Sequence, residues 1–446
     1  MRRKRLLASE PQAGTLELVR QVARIGLPLR RSADLEPLLT RIGDARYVLL
    51  GEASHGTSEY YQWRAHISQR LIREKGFSFI AVEGDWPDCY RVNRYIKDPS
   101  DSGIDAREVL EGFVRWPTWM WANEEVMRLA EWLRHHNAGL SDQAKVGFFG
   151  LDVYSLWDSL YAVFGYLRKA DPSLLPAARR ALACFQPYGE DVQQYARATS
   201  LVPFSCEDEV VALLTELRRK QPRYRADGRE EFFTAEQNAL TVRNAEAYYR
   251  AMVRGGPESW NIRDRHMTDT LDRLMHHHGL KAKAIVWEHN THIGDARYTD
   301  MAHDGMVNVG QLVRERHAEE GVFLIGFGSN RGSVVAAKDW EAPMETMTVP
   351  AARDRSWEDI LHRAGSSNKL LLLSEVRDSE IFSEERGHRA IGVVYHPEYE
   401  QYGNYVPTVL PGRYDAFCYI DQSNALHPLH SHPAFEKIPE TYPWGV

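Results

Sequence analysis

The sequence predicts an α/β protein: a three-layer sandwich with a mostly parallel or mixed central sheet and a helical insertion. Three observations carry this expectation. Short apolar runs recur along the chain, each stopped by Gly, Asp, His or Pro. Most of them are continuously apolar rather than alternating, as strands covered on both faces are. Between the early runs lie segments whose apolar residues recur at helical spacing.

The runs are Tyr47–Leu50, Phe79–Val82, Val146–Phe149, Ala284–Trp287, Val322–Phe327, Lys369–Leu373, Ile391–Tyr395 and Ala416–Ile420. In Thr57–Lys75, Trp63, Ile67 and Leu71 share a stripe, and in Trp119–His136 so do Val126, Leu129 and Leu133. From Ser155 to His278 strand signals vanish, and amphipathic patterns replace them at Glu207–Lys220, Glu230–Arg254 and Ile262–Met275. This stretch reads as a helical insertion, broken at Gly255-Gly256-Pro257 and carrying a charged, mobile connection from Gln221-Pro222 to Gly228. The predicted organisation is an N-terminal extension with a first helix (1–40), the first part of the α/β core (41–154), the insertion bordering an active-site crevice (155–279) and the second part of the core (280–446).

Composition narrows the functional classes. With 446 residues, 43% hydrophobic and 26% charged, the chain is long and apolar enough for a full core. A net charge of -7 argues against nucleic acid as the main partner, because phosphate binding needs a basic face. The four cysteines, Cys89, Cys184, Cys206 and Cys418, form no CxxC pair, which suggests reduced thiols in a cytoplasm. The start Met1-Arg2-Arg3-Lys4-Arg5 is basic, but Ser9-Glu10-Pro11-Gln12 follows where a signal peptide needs an apolar stretch. No run of about 18 apolar residues marks a membrane span. The expectation is a soluble, cytoplasmic protein acting on a small molecule, with nothing in the sequence to fix its oligomeric state.

The chemistry is sought at the strand ends, because open α/β sheets bind ligands beyond the carboxyl ends of their strands. Gly51-Glu52-Ala53-Ser54-His55-Gly56 follows the first run, Glu83-Gly84-Asp85 the second, Gly150-Leu151-Asp152 the third and Glu288-His289-Asn290-Thr291-His292 the fourth. His55 lies before a helix expected to start at Thr57 or Ser58, whose N-terminus disfavours imidazolium. A carboxylate such as Glu52 or Glu83 acts oppositely, and the balance would poise His55 as a general base. The competing reading is a histidine that satisfies a turn. His289 and His292, expected on a loop, suit metal ligation or carbonyl polarisation, against a bland role in capping. His276-His277-His278 and His135-His136 read as helix C-termini complementing the dipole. By position alone Arg64 is a surface arginine, and Gly326 to Gly332 a tight turn. No serine-hydrolase elbow, H-E-x-x-H or P-loop occurs.

Leu50 to Gly56, Ala81-Val82-Glu83, Phe149-Gly150-Leu151-Asp152, Asn261-Ile262-Arg263-Asp264, Trp287 to His292 and Gly326 to Ala336 together resemble the erythromycin esterase family, over about residues 40–420. The resemblance implies metal-independent hydrolysis of an ester or lactone, with no cofactor. It places functional residues at Glu52, His55, Arg64, Glu83, His289 and His292, with His55 as the base acting on water. Asp152, Arg263, Asp264 and Glu288 would contact substrate or support the catalytic groups. Glu288 stands where the family pattern implies a small residue. Arg64, His289 or His292 would stabilise the oxyanion. Two rival readings use the same residues: a hydrolase whose histidines and glutamates ligate a divalent metal, and a non-catalytic tetrapyrrole-binding protein.

Overall fold

The computed structural model describes residues 10–98, 103–189, 191–201, 205–220 and 229–430. The basic start Met1–Arg5 and the connection from Gln221 to Gly228 lie outside the described residues. The strands are β1 (Leu27–Pro28), β2 (Tyr47–Leu50), β3 (Phe79–Asp85), β4 (Gly147–Asp152), β5 (Ala284–Trp287), β6 (Val322–Ala337), β7 (Met344–Val349), β8 (Lys369–Leu372), β9 (Arg386–Arg389), β10 (Tyr405–Thr408) and β11 (Ala416–Ser423). Nine build a mixed sheet in the order β1-β8-β11-β6-β2-β5-β3-β4, with β7 on the far half of β6. The run from β11 to β4 is parallel, and β8, β1 and β7 join antiparallel.

The continuous apolar runs are explained by burial on both faces. In β2, Val48 and Leu50 pack into one layer with Tyr60, Ile67 and Leu71 of the helix Ser58–Lys75. Tyr47 and Leu49 point to the opposite layer, against Met267, Leu271 and Leu274 of the helix Glu258–His278. Each such aliphatic side chain contributes about 1.5–3 kcal/mol by leaving water. Among the described residues, Ser155–His278 holds helices and no strand. It carries its own apolar core, with Leu160, Val163, Leu167, Leu213, Leu217 and Tyr249 fully or almost fully buried.

Four local expectations are corrected. Ile391–Tyr395 is not a strand; it touches its neighbours through isolated bridges at Ile391 and Val394. Its apolar residues instead cover Val334 and Ala336. The nearby strand is the polar β9, paired with β10. Gly326 to Gly332 is no turn but the middle of β6, which spans 16 residues. Glycine at 326 admits the Tyr414 ring, which a Cβ would meet at 2.8 Å. His289 and His292 are not on a loop: His289 caps the short helix Asn290–Ile293, which contains His292. Finally, Cys184 and Cys206 form a disulfide, with Cα atoms 5.8 Å apart, while Cys89 and Cys418 are free and buried. Packing of the insertion helices brings together two residues 22 apart in sequence, which removes the thiol argument for a cytoplasmic location. No helix among the described residues is long and apolar enough to cross a membrane.

The turn that presents His55 is held by close backbone contact. A Cβ on Gly56 would fall 1.9 Å from the Val335 carbonyl oxygen, and that backbone is fixed by the Val335 N–H donating to the Gly56 carbonyl at 3.0 Å. Gly56→Ala is therefore expected to destabilise the fold by about 2 kcal/mol, in the range of overpacking. Urea denaturation measures this, and an unchanged midpoint would refute the contact.

Candidate active site

Strand order brings the sequence-distant chemistry together. Because β2, β5, β3 and β4 are successive neighbours, Glu52 after β2, Glu288 and His289 after β5, Glu83 in β3 and Asp152 at the end of β4 share one edge of the sheet. The last two sit within the strands, since β3 runs to Asp85 and β4 to Asp152.

His55 lies on the turn between β2 and the helix Ser58–Lys75. Its Nδ1 is 2.9 Å from Glu52 Oε1. A carboxylate accepts here, so in the neutral ring Nδ1 carries the hydrogen and Nε2 the lone pair. The other oxygen of Glu52 accepts from Arg64 Nη2 at 2.7 Å. Arg64 is fully buried, contrary to its surface reading, and its guanidinium lies over the rings of Tyr61 and Trp287 at 4.2 and 4.7 Å. Burial pulls the His55 pKa down, but the Glu52 hydrogen bond and the charges of Glu83 and Glu52 overcome it, and the net shift is upward.

A second network surrounds Arg263, on the helix Glu258–His278. Its Nη2 donates to Glu83 Oε1 and to Asp152 Oδ2, each at 2.7 Å, and its Nε to Asp152 Oδ1 at 3.0 Å. Its Nη1 lies 3.0 Å from His292 Nε2, and His292 Nδ1 lies 2.9 Å from Asp264 Oδ1. Burial would raise the Glu83 pKa, yet the charges of His292, Arg263 and His55 and the backbone N–H of His289 hold it below the ordinary carboxylate range. The His55 and His289 rings approach to 4.9 Å between centroids. Burial first, then the His55 charge, keeps His289 neutral by lowering its pKa well below the usual value. Glu288 is 1% exposed with neither carboxyl oxygen hydrogen-bonded. Burial, reinforced by Glu83 and Asp264, raises its pKa strongly and keeps it protonated.

A cleft of about 80 Å³ runs above these groups. Of the residues expected from sequence to be functional, His55, Glu83, Asp152 and Arg263 line it, while Glu52, Arg64, His289, His292, Asp264 and Glu288 lie behind. The remaining lining includes residues that sequence reasoning missed: Asp85, Asp88, Arg115, Tyr154 and the indoles of Trp116, Trp121 and Trp340. Arg115 Nε donates to Asp85 Oδ2 at 2.7 Å, and Nη2 donates to the same oxygen. Burial and the Asp85 charge push Asp88 up to about 7. Asp85 was within reach of the strand-end argument, being two residues beyond Glu83 on the same strand. Arg115 comes from a loop with no pattern of its own. Among the described residues no three His, Cys, Asp or Glu side chains form a metal-binding group; the carboxylates converge on the Arg263 guanidinium, whose charge opposes a divalent cation there.

Replacing Arg263 by methionine would leave Glu83 and Asp152 buried without their cation. The expected loss is about 3–5 kcal/mol at neutral pH, as for a broken buried pair. A carboxylate with a lowered folded pKa adds stability above its unfolded pKa and loses it as pH falls. The Glu83 part of the deficit should therefore be full above the ordinary glutamate pKa and shrink as pH falls below it. A pH-independent deficit in urea melts would contradict this network.

Comparison with known proteins gives the family and the fold. The erythromycin esterase family matches residues 72–423, a range that begins after the His55 turn. An Escherichia coli protein described as erythromycin esterase type II is 24% identical over 323 residues, covering 68% of this chain and 73% of its own. Among solved structures, a Bacillus cereus protein has a TM-score of 0.77 at 19% identity, covering 94% of this chain and 99% of its own. A succinoglycan biosynthesis protein has a TM-score of 0.73 at 22% identity, covering 93% and 99%. A mutant of the erythromycin esterase EreC in its open conformation has a TM-score of 0.66 at 18% identity, covering 91% and 97%. With most of its length matched and its fold shared with a solved member, this chain belongs to the erythromycin esterase family and is an ester hydrolase.

Proposed function

We propose that the chain hydrolyses an ester or lactone by general-base activation of water at His55, with a macrolide-like lactone as a candidate substrate because of the E. coli relative's name. The observation that carries this reading is the chain Arg64–Glu52–His55, in which Nδ1 is tied down at 2.9 Å and the ring lines the cleft. Water gives a proton to His55 Nε2 as its oxygen bonds to the carbonyl carbon. The π electrons move onto the carbonyl oxygen, making a tetrahedral oxyanion. Collapse re-forms the carbonyl and breaks the bond to the alcohol oxygen, which takes the proton back from His55. Glu52 orients the ring and stabilises the imidazolium, and a positioned base of this kind is worth ~10²–10⁴-fold in rate.

The oxyanion needs a donor at the cleft, and Arg64, His289 and His292 do not line it. Arg263 does, but its nitrogens hold Glu83, Asp152 and His292. Arg115, whose side chain is 14% exposed and anchored on Asp85, is the other cation of the cleft. We assign it the oxyanion, a role typically worth ~3–4 kcal/mol. The reading uses no metal and no cofactor.

Only neutral imidazole accepts the proton, and the His55 pKa is raised. After chelation of the protein, kcat/KM should rise with pH through a midpoint above the ordinary imidazole value. His55→Ala should lower kcat by ~10²-fold or more with KM less affected. Glu52→Gln should move the midpoint to lower pH, since the charge favouring imidazolium is gone, while Asp88→Asn should leave it in place. A chelated His55→Ala that keeps full activity would sink the mechanism.

For Arg115, Arg115→Ala should lower kcat by ~10²-fold, near the loss seen when an oxyanion donor is removed. Added guanidinium should restore part of that rate without helping His55→Ala. Full activity in Arg115→Ala would remove it from the reaction.

A further inference from the structure

A cavity of about 890 Å³, walled mainly by the insertion, shares Tyr154 and Arg263 with the His55 cleft and adds the less polar Tyr248, Met252 and Trp260. Another, of about 290 Å³, lies between the helices Arg229–Met252 and Glu258–His278 and shares no residue with either. Every side chain that lines it is polar or charged except Leu240. Three arginines reach it: Arg218 from the helix Glu207–Arg219, Arg243 from Arg229–Met252 and Arg273 from Glu258–His278.

Three guanidiniums in one pocket repel each other, so their partners decide what it can hold. Arg218 Nε and Arg273 Nη2 take the two oxygens of Glu236, each at 2.7 Å, and Arg273 Nε donates to Gln237 Oε1 at 2.9 Å. Asp269 and Asp272 also line the pocket, yet both accept from Arg316 Nη1, at 2.8 and 2.7 Å. Arg243 differs. Its Nε donates to Asn244 Oδ1 at 3.0 Å, and among the described residues it forms no ion pair. Burial, with the charges of Arg218 and Arg273 outweighing that of Asp269, lowers its pKa. Guanidinium keeps its proton all the same, so the pocket carries a cation without a counterion.

That cation is also held in position. Arg243 only donates, so it must face the Asn244 carbonyl oxygen, which turns the amide nitrogen toward His266 Nδ1 at 2.7 Å. Burial lowers the His266 pKa to about 4, and the neutral ring accepts from that amide. Asn244 is thereby fixed between the two helices, and Arg243 with it.

Planar forks of donors suit phosphate oxygens. A tetrahedral phosphate offers oxygens to three guanidiniums and to the Thr270 hydroxyl, which accepts from Gln237 Nε2 at 2.9 Å and still has its own hydrogen to give. A planar carboxylate would meet fewer of them. The two aspartates disfavour a polyanion. The volume stands at the small end of ligand sites, ~300–1,000 Å³, enough for a phosphate and a small polar body.

We propose that the pocket between the helices Arg229–Met252 and Glu258–His278 binds a single phosphate group, free or as the monoester of a small polar molecule, on Arg243 with Arg218 and Arg273 beside it. The site is separate from the His55 cleft and does not depend on the reaction assigned there.

The probes are inorganic phosphate and glycerol 3-phosphate, titrated by calorimetry at constant ionic strength, with acetate as control. The pH is set at about 8, where the second phosphate proton (pKa ~6) is off. Both phosphates should bind saturably and raise the thermal midpoint as their concentration grows, and acetate should do neither. Arg243→Ala should weaken phosphate by ~10-fold or more, the scale of a hydrogen bond to a charged group. Its urea midpoint should hold, since no ion pair is lost, which shows that it folds. Arg243→Lys keeps the charge without the fork and should fall between. Asp269→Asn removes an anion that acts on Arg243 and should tighten binding. Tighter binding of the ester than of phosphate would assign the pocket to an organic phosphate, and equal or weaker binding to the free ion; either keeps the site. Absence of saturable phosphate binding, binding unchanged in Arg243→Ala, weaker binding in Asp269→Asn, or equal binding of acetate overturns it.

Discussion

One buried guanidinium organises this molecule. Arg263 brings a charge from the helix Glu258–His278 to the strand ends, where it donates to both Glu83 and Asp152. Moving such ions out of water costs several kcal/mol each, recovered only where geometry is good and every donor is used. Arg263 meets that condition through Nε, Nη1 and Nη2. Because it stands on the helix Glu258–His278, docking that helix against the sheet and assembling the site are one event. Glu288 stays protonated because burial raises its pKa, with the nearby charges of Glu83 and Asp264 adding to the effect.

A second buried arginine makes a different use of the same physics. Arg64 is sandwiched against Tyr61 and Trp287, so aromatic faces replace part of its lost hydration. Its ion pair with Glu52 holds that side chain in place, and Glu52 in turn fixes the His55 ring. The base is thus aimed by a charge that never reaches the cleft. Removing a residue of this type changes orientation and protonation of the base before it changes any contact with substrate.

Much of this was legible in the sequence because it depends on local pattern. Tyr47–Leu50 and Ala284–Trp287 read as strands with the boundaries they have, since continuous apolar runs need two covering layers. The strand-end rule then pointed to Glu52, His55, Glu83 and His289, which the strand order places along one edge of the sheet. What stayed hidden depends on contacts between distant segments. Arg115 and Tyr154 reach the cleft through the path of the chain in space, and neither stands in a periodic pattern. β6 continued through three glycines because those positions face Tyr414, Phe417 and Ser423, whereas spacing alone reads glycine as a stop. The disulfide escaped notice for the same reason, since Cys184 in the helix Leu175–Phe185 and Cys206 just before the helix Glu207–Arg219 carry no motif. Arg64 was misread because helical position tells which face a residue occupies, not that the face holds a buried carboxylate partner.

The division between a charged cleft and a less polar cavity also has a physical reason. A general base and an oxyanion donor work best where fixed dipoles and charges replace water. An aromatic wall buries area, which a charged wall does only at a desolvation cost. Here Tyr154 and Arg263 line both spaces, the His55 cleft and the cavity of the insertion. The Arg64–Glu52–His55 chain, held between the turn after β2 and the helix Ser58–Lys75, has its aiming charge outside both spaces.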